Sequence, residues 1–161
     1  MKPEKPGPGQ ESVWDYPRPP RLEQSSNKIR VLFHGQLIAQ STRAYRLLET
    51  SHPPTWYIPI ADARMDFLKP TSETSFCEWK GVATYWTLRV GDQTVETAAW
   101  SYDSPNPDFA SIKGCIAFYP GRFECYVDDE RVTAQPGDFY GGWITSQVVG
   151  PFKGGPGTAG W

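Results

Sequence analysis

The chain has 161 residues, of which 39% are apolar and 21% charged, and a formal charge of −2. This is enough for one domain with a real core and too apolar for a disordered chain, and the near-neutral balance lacks the basic footprint of a general nucleic-acid binder. The 15 glycines and 16 prolines exceed average usage but fall short of low complexity, so they read as tight turns between short strands.

Residues 1–26 read as an extended, proline-rich arm. Met1 to Gln10 is polar and rich in Pro and Gly, without the apolar stretch of a secretory signal. Asp15-Tyr16-Pro17-Arg18-Pro19-Pro20 is extended because proline fixes its own φ and biases the residue before it. Pro17 and Pro20 form a PxxP suited to an aromatic groove on a partner protein. The alternative is an arm docked on its own domain through Trp14 and Tyr16.

Residues 27–161 read as a single all-β domain. Arg30–Phe33 turns at His34-Gly35-Gln36 into Leu37–Ala39, Thr84–Val90 turns at Gly91-Asp92 into Thr94–Glu96, and Glu124–Val127 turns at Asp128-Asp129 into Arg131–Thr133. Gly and Asp supply the positive φ that tight hairpins need. A further turn at Pro120-Gly121 is expected to join Ile116–Phe118 to Phe123–Cys125. Thr42–Leu48 reads as one or two helical turns or equally as a strand, and Asp62–Leu68 and Pro107–Ile112 as short helical turns. Pro136 to Trp161 is rich in Gly but holds several aromatics, so it is expected to pack on the domain. Apolar runs are only a few residues long, as in Val31-Leu32-Phe33, too short to span a bilayer.

The known phosphate motifs do not fit. In Gly150–Thr158 the lysine precedes the glycines and a proline interrupts them, unlike a phosphate loop, and no βαβ unit surrounds a dinucleotide fingerprint. Cys77, Cys115 and Cys125 form no CxxC pair. An odd count fits a reducing compartment better than a disulfide scaffold, so a cytoplasmic location is expected. Cys115 and Cys125 would face each other only if the Pro120-Gly121 turn carries a one-residue bulge. Cys77 precedes Glu78-Trp79-Lys80, where an ammonium lowers a thiol pKa; a catalytic thiol would take His52 as its base, and a buried inert thiol is the alternative. His52, between Glu49 and two prolines, suits acid–base work or a structural hydrogen bond equally.

Aromatics carry the most information. Trp79, Tyr85, Trp86, Trp100, Tyr102, Phe118, Tyr119, Phe139, Tyr140 and Trp143 recur along the predicted strands. Tyr85 and Trp86 are adjacent, so a strand sends one to the core and the other elsewhere. With Lys80, Arg43, Arg46 and Arg64 nearby in sequence, an apolar pocket with a few cations suits a small planar or anionic ligand.

Six phrases resemble one family: Glu11-Ser12-Val13-Trp14-Asp15-Tyr16-Pro17-Arg18-Pro19-Pro20, Glu49-Thr50-Ser51-His52-Pro53-Pro54, Cys77-Glu78-Trp79-Lys80-Gly81, Ala98-Ala99-Trp100-Ser101-Tyr102, Ala117-Phe118-Tyr119-Pro120-Gly121-Arg122 and Gly150-Pro151-Phe152-Lys153-Gly154. In combination the chain resembles the domain of unknown function 427 family, sometimes labelled nucleotidyltransferase-like. The resemblance implies a small all-β domain similar to the tent-like fold, two sheets meeting at an angle. Relatives of that fold often hold zinc on paired cysteines, which this sequence lacks. Nucleotidyl transfer needs carboxylates clustered on magnesium, and no Gly-Ser with a following Asp-x-Asp is present. The family has no settled activity to carry over.

The expectation is an all-β fold with minor short helices, built as two packed antiparallel sheets. It is read as a binding module that holds an unidentified small molecule between its sheets, without cofactor or metal. The ligand would be contacted by Trp79, Lys80, Trp86, Trp100 and Tyr119, with His52 or Arg43 orienting a polar group. Surplus aromatics and unpaired sheet edges suggest a homodimer. The alternatives are an enzyme using Cys77 or His52 and an adaptor that binds through its proline arm.

Overall fold

Short alternating segments broken by turn residues produce fifteen strands and five short 3₁₀ turns in the computed structural model, which describes residues 1–137 and 139–161. The strands are β1 (Glu11–Ser12), β2 (Arg21–Gln24), β3 (Ile29–Phe33), β4 (Gln36–Ser41), β5 (Tyr45–Leu48), β6 (Thr55–Pro59), β7 (Leu68–Cys77) and β8 (Gly81–Val90). They continue as β9 (Gln93–Ser101), β10 (Cys115–Phe118), β11 (Glu124–Val127), β12 (Glu130–Arg131), β13 (Thr133–Ala134), β14 (Trp143–Ile144) and β15 (Val148–Val149). A seven-stranded antiparallel sheet has the order β2-β5-β6-β10-β9-β8-β7, and a four-stranded one β12-β11-β3-β4. Two small pairs, antiparallel β13–β14 and parallel β1–β15, tie down the chain ends.

The three tight hairpins stand where turn chemistry placed them. His34 and Gly35 both take positive φ, 48° and 80°, between β3 and β4, as a two-residue turn requires. Gly91 (φ 62°) does so between β8 and β9, and Asp128 (φ 55°) between β11 and β12. Thr42–Leu48 resolves to the strand β5, and the short turns fall at Ile60–Asp62, Met65–Phe67 and Pro107–Ile112.

The hairpin expected at Pro120-Gly121 is not formed. β10 pairs with β6 and β9, β11 pairs with β3, and the 3₁₀ turn Pro120–Arg122 carries the chain from the large sheet to the small one. Cys115 and Cys125 therefore sit in different sheets, both as free thiols. Burial pushes the Cys115 thiol up to about 11 and raises Cys125 further.

One face of the large sheet packs against the small sheet. Period-two alternation sends Trp56 and Ile58 of β6, Ile116 and Phe118 of β10 and Leu88 of β8 into a core shared with Ile29, Val31 and Ile38. The residues between them, Tyr57, Ala117, Tyr85 and Trp100, point to the opposite face and form a second cluster. Phe109 and Ile112 of the Pro107–Ile112 turn cover part of that face.

The segment read as an arm lies on the domain. β2 forms the edge of the large sheet beside β5, Tyr16 is buried, and the Trp14 indole N–H donates to the Pro151 carbonyl at 2.8 Å. Arg46 of β5 clamps it further, donating to both Glu11 carboxylate oxygens (2.8 and 2.9 Å) and to Glu23. The PxxP prolines are engaged too, with Pro20 buried and Pro17 half-buried. The tail packs as expected around Trp143 and through Trp161, which stands edge-on to Trp14. Phe139 stays exposed, and Asp138 lies outside the described residues. No helix among the described residues is long and apolar enough to cross a membrane.

Candidate functional site

Buried side chains from both sheets pack between them, and a cleft opens on the other face of the large sheet. This cleft, of about 270 Å³, is floored by that face and walled by the β7–β8 turn on one side and by Gln135, Phe139, Tyr140 and Gly141 on the other. Tyr85, Trp100 and Tyr119 enter it because strand alternation turns them away from the core. The Trp100 and Tyr119 rings lie 4.5 Å apart, and the Trp100 indole N–H donates to the Tyr57 hydroxyl at 3.3 Å. Exposed Phe76 and Phe139 flank the mouth.

Trp79 and Lys80 reach the cleft through the turn that joins β7 to β8. Cys77 pairs with Gly81 across it, and Gly81 takes φ 107°, a region that favours glycine. Asn106 pins this turn: its side-chain amide donates to the Trp79 carbonyl at 2.8 Å, and its backbone N–H donates to the Lys80 carbonyl at 3.0 Å. The Lys80 ammonium lies 5.4 Å from the centre of the Tyr102 ring, within cation–π range.

The facing loop is tied by Gln135, which is buried although polar. Its Oε1 accepts from the Gly142 N–H at 3.0 Å, and its Nε2 donates to the Lys153 carbonyl at 2.8 Å. Those two bonds orient the amide, so its remaining proton meets His52 Nδ1 at 3.0 Å. Nδ1 thus accepts, and the neutral ring carries its proton on Nε2, 3.7 Å from Glu49. Burial is the main cause of a His52 pKa pushed down to about 4, with Lys153, Lys80 and Arg18 adding to it. Glu49 pulls the other way, but it is shared with Arg18 at 3.9 Å and is outweighed. A ring with Nδ1 engaged and Nε2 protonated offers Cys77 no lone pair, so the two are not poised as thiol and base.

Gly141 completes the wall. Its backbone lies flat against Trp100, and a methyl group there would overlap the indole ring.

Of the residues expected to contact a ligand, His52, Trp79, Lys80, Trp100 and Tyr119 line this one cleft. Arg43 and Trp86 do not. Arg43 is exposed and makes a two-pronged bond to Asp62, at 2.9 and 3.0 Å. Trp86 faces the inter-sheet core and donates to the Ser101 hydroxyl at 2.9 Å; its neighbour Tyr85 takes the cleft position. The site also contains Tyr102 and Tyr140, from the aromatic set, and Lys153, from the Gly150–Gly154 phrase, none of which was expected to contact the ligand, together with Gln135, which no local motif marks. Among the described residues, no three His, Cys, Asp or Glu side chains converge as a metal set.

Fold and site together define a two-sheet, all-β domain with an aromatic cleft on the outer face of its larger sheet. Residues 21–129 match the family described as Domain of unknown function (DUF427), and the chain belongs to that family. No curated protein matches the chain. Gln135, Tyr140, Gly141 and Lys153 lie beyond the matched span, so one wall of the cleft comes from outside it.

Proposed function

We propose that this protein is a binding module for a small molecule, seated in the cleft on the outer face of the seven-stranded sheet. One observation carries the reading: Trp79, Tyr85, Trp100, Tyr102 and Tyr119 gather around a volume of about 270 Å³ that the core leaves unfilled. Ligand sites are concave, apolar and set with a few polar groups, and this cleft sits near the ~300 Å³ lower end of their range. The ligand is therefore small, one or two rings. The neutral, engaged state of His52 favours binding over thiol chemistry.

Native mass spectrometry of the untreated protein, beside a denatured spectrum of the same sample, tests the reading. It predicts a small organic mass that is lost on denaturation and absent from Trp79→Ala. Identical bare masses in both spectra contradict it. The same spectrum reads oligomeric state. A doubled mass would support the homodimer we also propose, for which exposed Phe76 of the edge strand β7 and its cross-strand partner Val82 of β8 supply an apolar contact.

A further inference from the structure

Aromatic walls alone suit a cation, a neutral planar molecule or an anion. The polar groups of the cleft choose among these. Lys80 and Lys153 both line it, and neither is ion-paired among the described residues. Lys153 donates to the Trp161 carbonyl at 3.3 Å, and both ammoniums lie close enough to His52 to depress its basicity. Glu49 and Glu78 line the cleft as well, but Glu49 lies 3.9 Å from Arg18 and Glu78 is exposed, so a cationic ligand would enter against two ammoniums with one solvent-facing carboxylate to meet it.

Tyr102 adds an independent sign. It is 5% exposed and lines the cleft, yet its hydroxyl makes no hydrogen bond among the described residues. The hydroxyl is open to the cleft rather than sealed from solvent, because Arg30 Nε is the only fully buried side-chain polar atom without a partner among the described residues, and a ligand oxygen can therefore accept from it. Burial raises its pKa, so the group remains a donor. His52 Nε2–H is a further donor, whereas the Gln135 carbonyl oxygen is already occupied by Gly142. The cleft therefore offers unspent donors and two ammoniums, against the exposed carboxylate of Glu78, beneath aromatic rings.

We propose that the ligand is a planar aromatic anion, one or two fused rings bearing a carboxylate, with the carboxylate met by the Lys80 ammonium and the Tyr102 hydroxyl and the ring lying against Trp79 and Trp100. This rests on the cleft being a ligand site.

Isothermal titration with three molecules of one shape tests it: 2-naphthoate, 2-naphthamide and 2-naphthylmethylamine. Naphthoate should bind at least ~10-fold tighter than the amide, with the amine weakest. Lys80→Met and Tyr102→Phe should each weaken naphthoate by about 5-fold or more and leave the amide unchanged. Tyr102→Phe keeps the ring and removes an unpartnered hydroxyl, so its Tm should not fall; a lowered Tm would show that the hydroxyl already has a partner and overturn its role. Equal affinity for acid and amide, or tightest binding of the amine, overturns the anion while leaving the ligand site standing. Failure of all three to bind overturns both.

Discussion

The two faces of the seven-stranded sheet are made by the same strands and differ in what they do with aromatic side chains. Toward the small sheet, Trp56, Phe118 and Trp143 pack with Ile29, Val31 and Ile38 in one buried cluster. On the outer face, Tyr85, Trp100, Tyr102 and Tyr119 meet a 3₁₀ turn and two loops, which cover part of the surface and leave a cleft. A sheet covered by another sheet is sealed at close-packed density, whereas loops cover it incompletely. The polar inventory follows the same division. His52, Lys80 and Lys153 gather at the loop-covered face, where water or a ligand can satisfy them.

The largest expected effect tests the sealed face. Phe118→Ala removes a fully buried ring and should cost about 3–5 kcal/mol in chemical denaturation. Trp79→Ala, on a half-buried turn, should cost about 1 kcal/mol. Equal costs would erase the distinction between a face that holds the fold and one that holds a ligand.

The next effect is pH-dependent. His52 has its ordinary pKa of 6.5 in the unfolded chain and about 4 in the fold, so between those values the unfolded state binds more protons. Stability should fall as pH drops from 6.5 toward 4, by an amount on the order of 2–3 kcal/mol, and His52 should add no further slope below that. In His52→Gln this part of the slope should vanish, leaving the carboxylates to act at lower pH. Glu11 is one of them: its pKa is lowered chiefly by the Arg46 hydrogen bonds, so its contribution is present above 4.5 and lost as pH falls through its folded value. A wild-type curve that stays flat from 6.5 to 4 would contradict the burial of a neutral His52.

Gly141→Ala sharpens the comparison on the loop side. The added methyl group must push the loop off Trp100, at a cost of about 1–3 kcal/mol by thermal or chemical denaturation. It should also weaken naphthoate binding. Asn106→Ala should have a similarly small stability effect to Trp79→Ala, about 1 kcal/mol, while still weakening naphthoate by freeing the turn that carries Trp79 and Lys80. An unchanged affinity in both variants would mean that neither wall shapes the site.

Much of this was legible in the sequence, for local reasons. His34-Gly35, Gly91-Asp92 and Asp128-Asp129 announce their hairpins because their backbone angles are nearly obligatory. Adjacent Tyr85 and Trp86 had to face opposite ways, but nothing local says which face is sealed. That depends on where the small sheet lands, and Tyr85 rather than Trp86 reached the cleft. The Pro120-Gly121 turn reads as a hairpin from its residues alone; the pairing of β10 with β6 and β9 overrides it. The β7–β8 hairpin escaped notice because β7 is polar and contains Pro70, which an edge strand tolerates. Arg43 was placed near the aromatics by sequence distance, and Asp62 holds it elsewhere. Gln135 and Lys153 are far from His52 along the chain, and only the fold brings them together.

The most direct test uses the seven tryptophans, whose indole N–H groups give separate signals in a ¹H–¹⁵N spectrum. On titration with 2-naphthoate, the account predicts that Trp79 and Trp100 shift, while Trp56, Trp86 and Trp143, on the sealed side, stay in place. Shifts at Trp56, Trp86 or Trp143 without shifts at Trp79 and Trp100, or no shift at any of the seven, would contradict it.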